Sequence, residues 1–444
     1  MSRADLIRQG VTALGRAMQA GELSGADLVE ACLAEIAARD GELHAFVEVY
    51  GDEALARAAA LDAERAAGTC RGPLHAIPVA VKDLADIAGR VTGFGSLSYS
   101  AEPADGTAAF IEALERAGAI VIGKTQLVEF AFGSWGTNHV LGTPLNPAVH
   151  GQASPGGSSS GSAVAVAAGM VPAAIGSDTG GSVRIPAGLC GVAGLKTSHG
   201  LVSLERVAPL SPALDTIGPF SCHPEDMAPL LEALGAAPGE EDLPQDGAGT
   251  VYRRVDAAAL DPVDPGILAH YERTLESLAE AGARVEPLAL PCPLAEYQSR
   301  CGAIMAHDAY AHLKEIVEDY RRPVDPYVRG RIAAGRDIAE DAHAAALARR
   351  EADRAAFAEV FGPRDILVLP TTPLTAQPLA AIDERQFPMS RYTRLANYID
   401  LCAVSVPVGS SEGAPVGLQF VARRGRDFAL VAEVSSRQKA LADA

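Results

Sequence analysis

The chain has a single tryptophan and only 5% aromatic residues among 444. It has no run of about 18 apolar residues, so a membrane-spanning helix is excluded. It also has no Cys-x-x-Cys pair. Its seven cysteines (Cys32, Cys70, Cys190, Cys222, Cys292, Cys301 and Cys402) are odd in number and widely dispersed, which argues against a disulfide framework or a cysteine-based zinc or redox motif. Most are expected to act as buried apolar fillers. Basic residues are scarce: 37 Lys and Arg stand against 56 Asp and Glu, for a net charge of −19. With no basic stripe, a nucleic-acid partner is not expected. The opening Met1-Ser2-Arg3-Ala4-Asp5 is not a positive segment leading into an apolar core, so a cytoplasmic location is expected. His139, His150 and His199 lack metal-ligand spacing, and neither a metal nor an organic cofactor is expected.

What the chain does have is enough apolar residue, 48%, to bury a large core. There is no internal repeat. The most linker-like stretch, Gly235 to Gly247, reads as an acidic surface excursion rather than a hinge. Residues 4 to 65 read as helices, with Leu6, Val11, Leu14 and Met18, then Leu28, Leu33 and Ile36, at helical spacing and Ser24 as a cap. Strands are predicted at 77–82, 119–123, 172–177, 284–290 and 366–370, alternating with helices at 107–117, 160–170 and 263–282. That alternation predicts an α/β fold, a sheet covered by helices on both faces.

Two Gly/Ser clusters carry the chemistry: Gly156-Gly157-Ser158-Ser159-Ser160-Gly161 and Ser177-Asp178-Thr179-Gly180-Gly181-Ser182-Val183-Arg184. A serine needs a base to take its proton and backbone N–H groups aimed at the oxyanion that forms after attack. Gly180 and Gly181 let the amides of Thr179, Gly180, Gly181 and Ser182 turn toward one point, an oxyanion hole. Lys82 follows the apolar run Ile77-Pro78-Val79-Ala80-Val81. A lysine drawn inside by such a strand loses the solvation of its ammonium form and can serve as a base.

Two pattern matches point elsewhere, and their contexts fail. Gly118 to Thr125 fits the phosphate-binding G-x-x-x-x-G-K-T pattern, but Ala119 to Ile122 are themselves the predicted strand and leave no loop to wrap a phosphate. Gly157 to Gly161 fits the G-x-S-x-G elbow with Ser159 as nucleophile. An elbow ends a buried strand, whereas Asn146 to Gly156 is a loop with two prolines.

At these residues the sequence resembles the amidase signature family. A lysine after an apolar strand, a Gly-Gly-Ser-Ser loop and a Gly-Gly-Ser-Val-Arg-x-Pro segment recur in order, with 76 residues from Lys82 to Ser158 and 24 from Ser158 to Ser182. Gly123-Lys124-Thr125, Asp215-Thr216-Ile217-Gly218-Pro219 and Pro415-Val416-Gly417-Leu418-Gln419 agree as well. The resemblance implies one α/β/α domain over 1–444 with a large twisted mixed sheet. Within it lie N-terminal helices (1–65), a catalytic core (66–235), a variable helix-rich pocket region (295–350) and a C-terminal return to the core (360–435). It implies an amidohydrolase acting on C–N bonds other than peptide bonds, with Ser182 as nucleophile, Lys82 as base and Ser158, after a cis peptide bond, relaying the proton. Phe132, Gly133, Ser134 and Trp135 stand where the family lines its acyl pocket. The expected partner is a small-molecule amide, and a homodimer is compatible. Carbamate or ureide hydrolysis is the near alternative. The other is a glutamyl-tRNA amidotransferase A-subunit, although those subunits usually carry glutamine where Ile185 follows Arg184.

Overall fold

A computed structural model describes residues 2–239, 249–386 and 388–442. Most of the Gly235–Gly247 excursion therefore lies outside the described residues. Eleven strands among the described residues form one sheet: β1 (Phe46–Val49), β2 (Pro78–Lys82), β3 (Ile120–Thr125), β4 (Ala173–Ser177), β5 (Ala193–Lys196), β6 (Ile217–Ser221), β7 (Val251–Arg254), β8 (Arg284–Pro287), β9 (Asp365–Pro370), β10 (Cys402–Ser411) and β11 (Ala414–Ala422). Their spatial order is β1-β3-β2-β4-β6-β5-β10-β11-β9-β7-β8. Pairing is parallel at β3/β2/β4 and at β9/β7/β8 and antiparallel elsewhere. The α/β mixed sheet expected from the sequence is thus the architecture found.

Central strands are covered on both faces, which is why they read as continuous apolar runs: β2, β4, β6 and β9 are buried at every position. Helix starts follow local chemistry. Ser24 and Asp27 form a capping box at the head of Gly25–Leu43. Asp264-Pro265 and Asp325-Pro326 each place a capping carboxylate before a proline in the first turn.

The structure departs from the sequence reading in two ways. Phe46–Val49 is an edge strand antiparallel to β3, inside the stretch read as all helical. Its four residues are too few to break the helical periodicity around them. Strands β5, β6, β7, β10 and β11 are also absent from the predicted set; β5 and β6 are four- and five-residue runs buried at every position, which show no alternation. No described helix is long and apolar enough to cross a membrane.

Candidate active site

Lys82 ends β2, and β4 runs parallel beside it with Val81 opposite Ile175. That register puts Ser177, the last residue of β4, beside the lysine. Lys82 Nζ donates to Ser158 Oγ and to Ser177 Oγ, each at 2.8 Å. The lysine is 1% exposed. Burial lowers its pKa to about 7, against the opposing pull of the Asp178 and Asp215 charges. At pH 7 about half of the lysine is therefore neutral, against a negligible fraction for a lysine in water. Ser177 lies in the second Gly/Ser cluster, but composition and spacing do not place it at Lys82; the parallel pairing of β2 and β4 does.

Ser158 follows a cis Gly157–Ser158 bond, as the resemblance implied, and stands one residue before Ser159, the cap of the helix Ser160–Ala167. Gly161 lets that helix come close. A Cβ there would sit 2.3 Å from the Ala45 carbonyl oxygen. Ser159 bonds to the β4 terminus: its hydroxyl donates to the Ser177 carbonyl at 3.2 Å and accepts the Ser177 N–H at 3.3 Å. The Ser159 N–H donates to the Ser182 carbonyl at 3.2 Å, which ties the two serine loops together.

Asp178 organises the second loop. Its carboxylate accepts Gly181 N–H at 2.8 Å, Val183 N–H at 3.2 Å and Asn397 Nδ2 at 2.9 Å. It also accepts both sides of the Arg184 fork at 3.0 Å. Burial alone would raise the Asp178 pKa, but Arg184, with Lys196 and Asn397, holds it well below the usual carboxylate range. Arg184 is fully buried and also donates to the Thr393 carbonyl and the Gln419 side chain, so the loop is locked to the C-terminal third of the chain. Thr179 Oγ1 donates to Asp215 at 2.6 Å. Burial pushes Asp215 up to about 6 despite this bond and those from Ser211 and Leu210.

The loop geometry alters one sequence expectation. The Gly181 N–H is committed to Asp178, while among the described residues the amides of Thr179, Gly180 and Ser182 have no acceptor in the protein. Only Gly181 needs glycine for its backbone: its φ is +126°, and a Cβ there would lie 2.2 Å from Thr393 Oγ1. Gly180 has no such φ. It matters because its missing side chain leaves room in front of Ser182. From Ala153 to Cys190 every residue except Ala167 and Ser182 is buried. Ser182 opens onto a small cavity, and among the described residues its hydroxyl has no protein partner.

A family model described as Amidase matches residues 27–431. The chain belongs to the amidase signature family. It is 36% identical to a glutamyl-tRNA(Gln) amidotransferase A-subunit from Symbiobacterium thermophilum, over 94% of this chain and 93% of that protein. It is 35% identical to a 2-amino-5-chloromuconic acid deaminase of Comamonas testosteroni, over 90% and 89%. A crystal structure of an amidase, 31% identical, superposes with a TM-score of 0.88 over 97% of this chain and 99% of the other.

In this amidase-family chain the expected pocket residues divide. Phe132, Gly133 and Ser134 line the cavity. Trp135 does not. It packs behind the wall with Ala153, Ile185, Leu189 and Met389, its Nε1 donating to the Gln386 carbonyl at 3.0 Å. Met305 and Arg331, from the expected pocket region 295–350, line the cavity as well, as do Ser390 and Arg394; sequence reasoning singled out none of the four. They come from the helices Leu294–Val317, Pro326–Ala333 and Arg394–Ile399 and from a short turn at Pro388–Ser390, all remote in sequence from the motifs. Lys124 of the rejected phosphate pattern sits at the buried end of β3, 2.9 Å from Asp83.

The structure also assembles a cluster that spacing did not disclose. Ligand atoms of His307, Asp308 and His343 lie within 4.8 Å of one another. The two imidazoles stack at 3.8 Å with only 12° between their planes, so their in-plane lone pairs do not converge on one point.

Proposed function

We propose that this chain hydrolyses the amide bond of a small carboxamide through an acyl-enzyme on Ser182. The Ser182 oxygen attacks the carbonyl carbon while its proton passes by way of Ser158 to neutral Lys82. The oxyanion is held by the free amides of Thr179, Gly180 and Ser182, with Gly181 fixing the loop through Asp178. The proton then returns to the leaving nitrogen as the C–N bond breaks, and water hydrolyses the ester by the same route. The observation that carries this reading is the buried Lys82 bonded to Ser158, with its pKa lowered to about 7 by burial. No metal or organic cofactor is invoked, since nucleophile, base and oxyanion donors are all side chains or amides of the loop.

The likeness to amidotransferase subunits favours one second reading, in which ammonia from glutamine is passed to a partner. Against it, Ile185 makes an apolar wall of the cavity where those subunits usually carry glutamine. Purified protein should be assayed with aliphatic amides, aryl amides, carbamates and glutamine, with ammonia or amine release as readout. Release from simple amides by the isolated chain is the expected result. Turnover of glutamine alone, and only with an added partner, would replace hydrolysis by amide transfer.

A further inference from the structure

The cavity in front of Ser182 carries a charge that the reaction above does not use. Its walls hold two arginines and no carboxylate. Arg331 is neutralised by an ion pair with Glu384 and donates to the Phe132 carbonyl at 2.7 Å. Arg394 is different. Its Nη1 donates to the Gln298 backbone carbonyl at 3.0 Å, and among the described residues no carboxylate lies within ion-pair distance of it. Its Nε is enclosed without a hydrogen-bond partner, and so are the hydroxyls of Ser134 and Ser390 in the same walls. Enclosed donors without acceptors are costly, and an enclosed cation without a counter-charge more so. Three of them on one cavity call for an acceptor that arrives with the substrate.

Arg394 Nε lies 3.5 Å from where a methyl on Gly180 would be, and the Cα atoms of Gly180 and Ser182 are at most ~7 Å apart. Gly180, Ser182 and Arg394 all line this one cavity, so the guanidinium and the point of attack are open to the two ends of one substrate. We propose that Arg394, assisted by the Ser134 and Ser390 hydroxyls, binds a carboxylate on the acyl portion of the substrate, so that the substrate class is the monoamide of a short dicarboxylic acid. This rests on Ser182 being the acylated residue. A carboxylate brings one negative charge and about four acceptor sites, which suits a guanidinium and two hydroxyls. Ala131, Ile185 and Met305 leave apolar wall for the intervening methylenes.

Binding and turnover are read separately. By calorimetry, glutarate should bind the wild-type protein at least about 10-fold more tightly than glutaramide, its neutral diamide. Arg394→Met should erase that preference, and Arg394→Lys, which keeps the charge but not the fork, should retain part of it. In turnover, glutaramate should exceed pentanamide in kcat/KM by at least about 100-fold, a ratio that Arg394→Met collapses mainly through KM. Equal affinity for the two ligands, an unchanged preference in both Arg394 variants, or faster turnover of the neutral amide would each overturn the carboxylate site. A glutarate preference with no amide turned over would sustain that site and overturn the hydrolysis instead.

Discussion

Replacing Lys82 by methionine turns the electrostatic core of the site into a stability measurement. Burial takes the lysine pKa from 10.5 to about 7. At ~1.36 kcal/mol per unit, a depression of about 3.5 units amounts to about 5 kcal/mol. In the unfolded chain this lysine keeps its proton to about pH 10.4, whereas in the fold it releases it near pH 7. Between those limits the unfolded state binds more protons, so wild-type stability rises with pH. Below pH 7 the folded protein bears the whole cost of an enclosed ammonium. Methionine has similar length and no charge, so at pH 6 the variant should be the more stable protein. The gain is reduced by ~1 kcal/mol for each of the bonds lost to Ser158 and Ser177. Urea titrations of both proteins from pH 6 to 10 cancel all groups they share. The stability difference should move in the wild type's favour by on the order of 4 kcal/mol across that range, with a slope near ~1.36 kcal/mol per pH unit. A difference that stays flat with pH would refute the depressed lysine, whatever the variant does to activity.

Amide turnover should climb about tenfold per pH unit below neutrality and level off above about pH 7, where Lys82 is neutral; Lys82→Arg should be inactive at every pH because a guanidinium stays charged. Asp178→Asn leaves the fully buried Arg184 without its counter-charge and should cost about 3–5 kcal/mol in thermal or urea unfolding, with activity lost as the loop loosens. Gly181→Ala should lower the melting temperature sharply, since its φ and the contact with Thr393 both forbid a side chain; Gly180→Ala should fold normally and raise KM by narrowing the cavity. Ser159→Ala should keep most of its turnover and lose ~1 kcal/mol of stability for the bonds to Ser177.

Lys82, Ser158 and Ser182 stand out in the chain because their neighbours are chemically unusual: glycines before serines, and a lysine at the end of an apolar strand. Local composition also separates the rejected patterns from the motifs, and Lys124 and Ser159 both prove to be enclosed and structurally bonded. Contacts that depend on pairing and crossing are a different matter. Ser177 meets Lys82 because β2 and β4 run parallel in one register. Arg184 reaches Gln419 across 235 positions, and Arg394 lines a cavity with Gly180 although no spacing rule connects them. The same limit hid β1, which pairs with β3 across the intervening helix and β2, and β5, which pairs with β10 much later in the chain. Trp135 shows the opposite error. Its place beside the pocket residues suggested a wall, yet its ring turns into a satellite core behind it.

The central claim is that Ser182 is the residue acylated, and covalent labelling tests it most directly. The protein, Ser182→Ala and Ser159→Ala are each treated with a fluorophosphonate, digested and mapped by mass spectrometry. The account predicts a single adduct on Ser182 in the wild type and in Ser159→Ala, formed faster as pH rises through about 7, and none in Ser182→Ala. An adduct on Ser159, or labelling of Ser182→Ala at the wild-type rate, would contradict it.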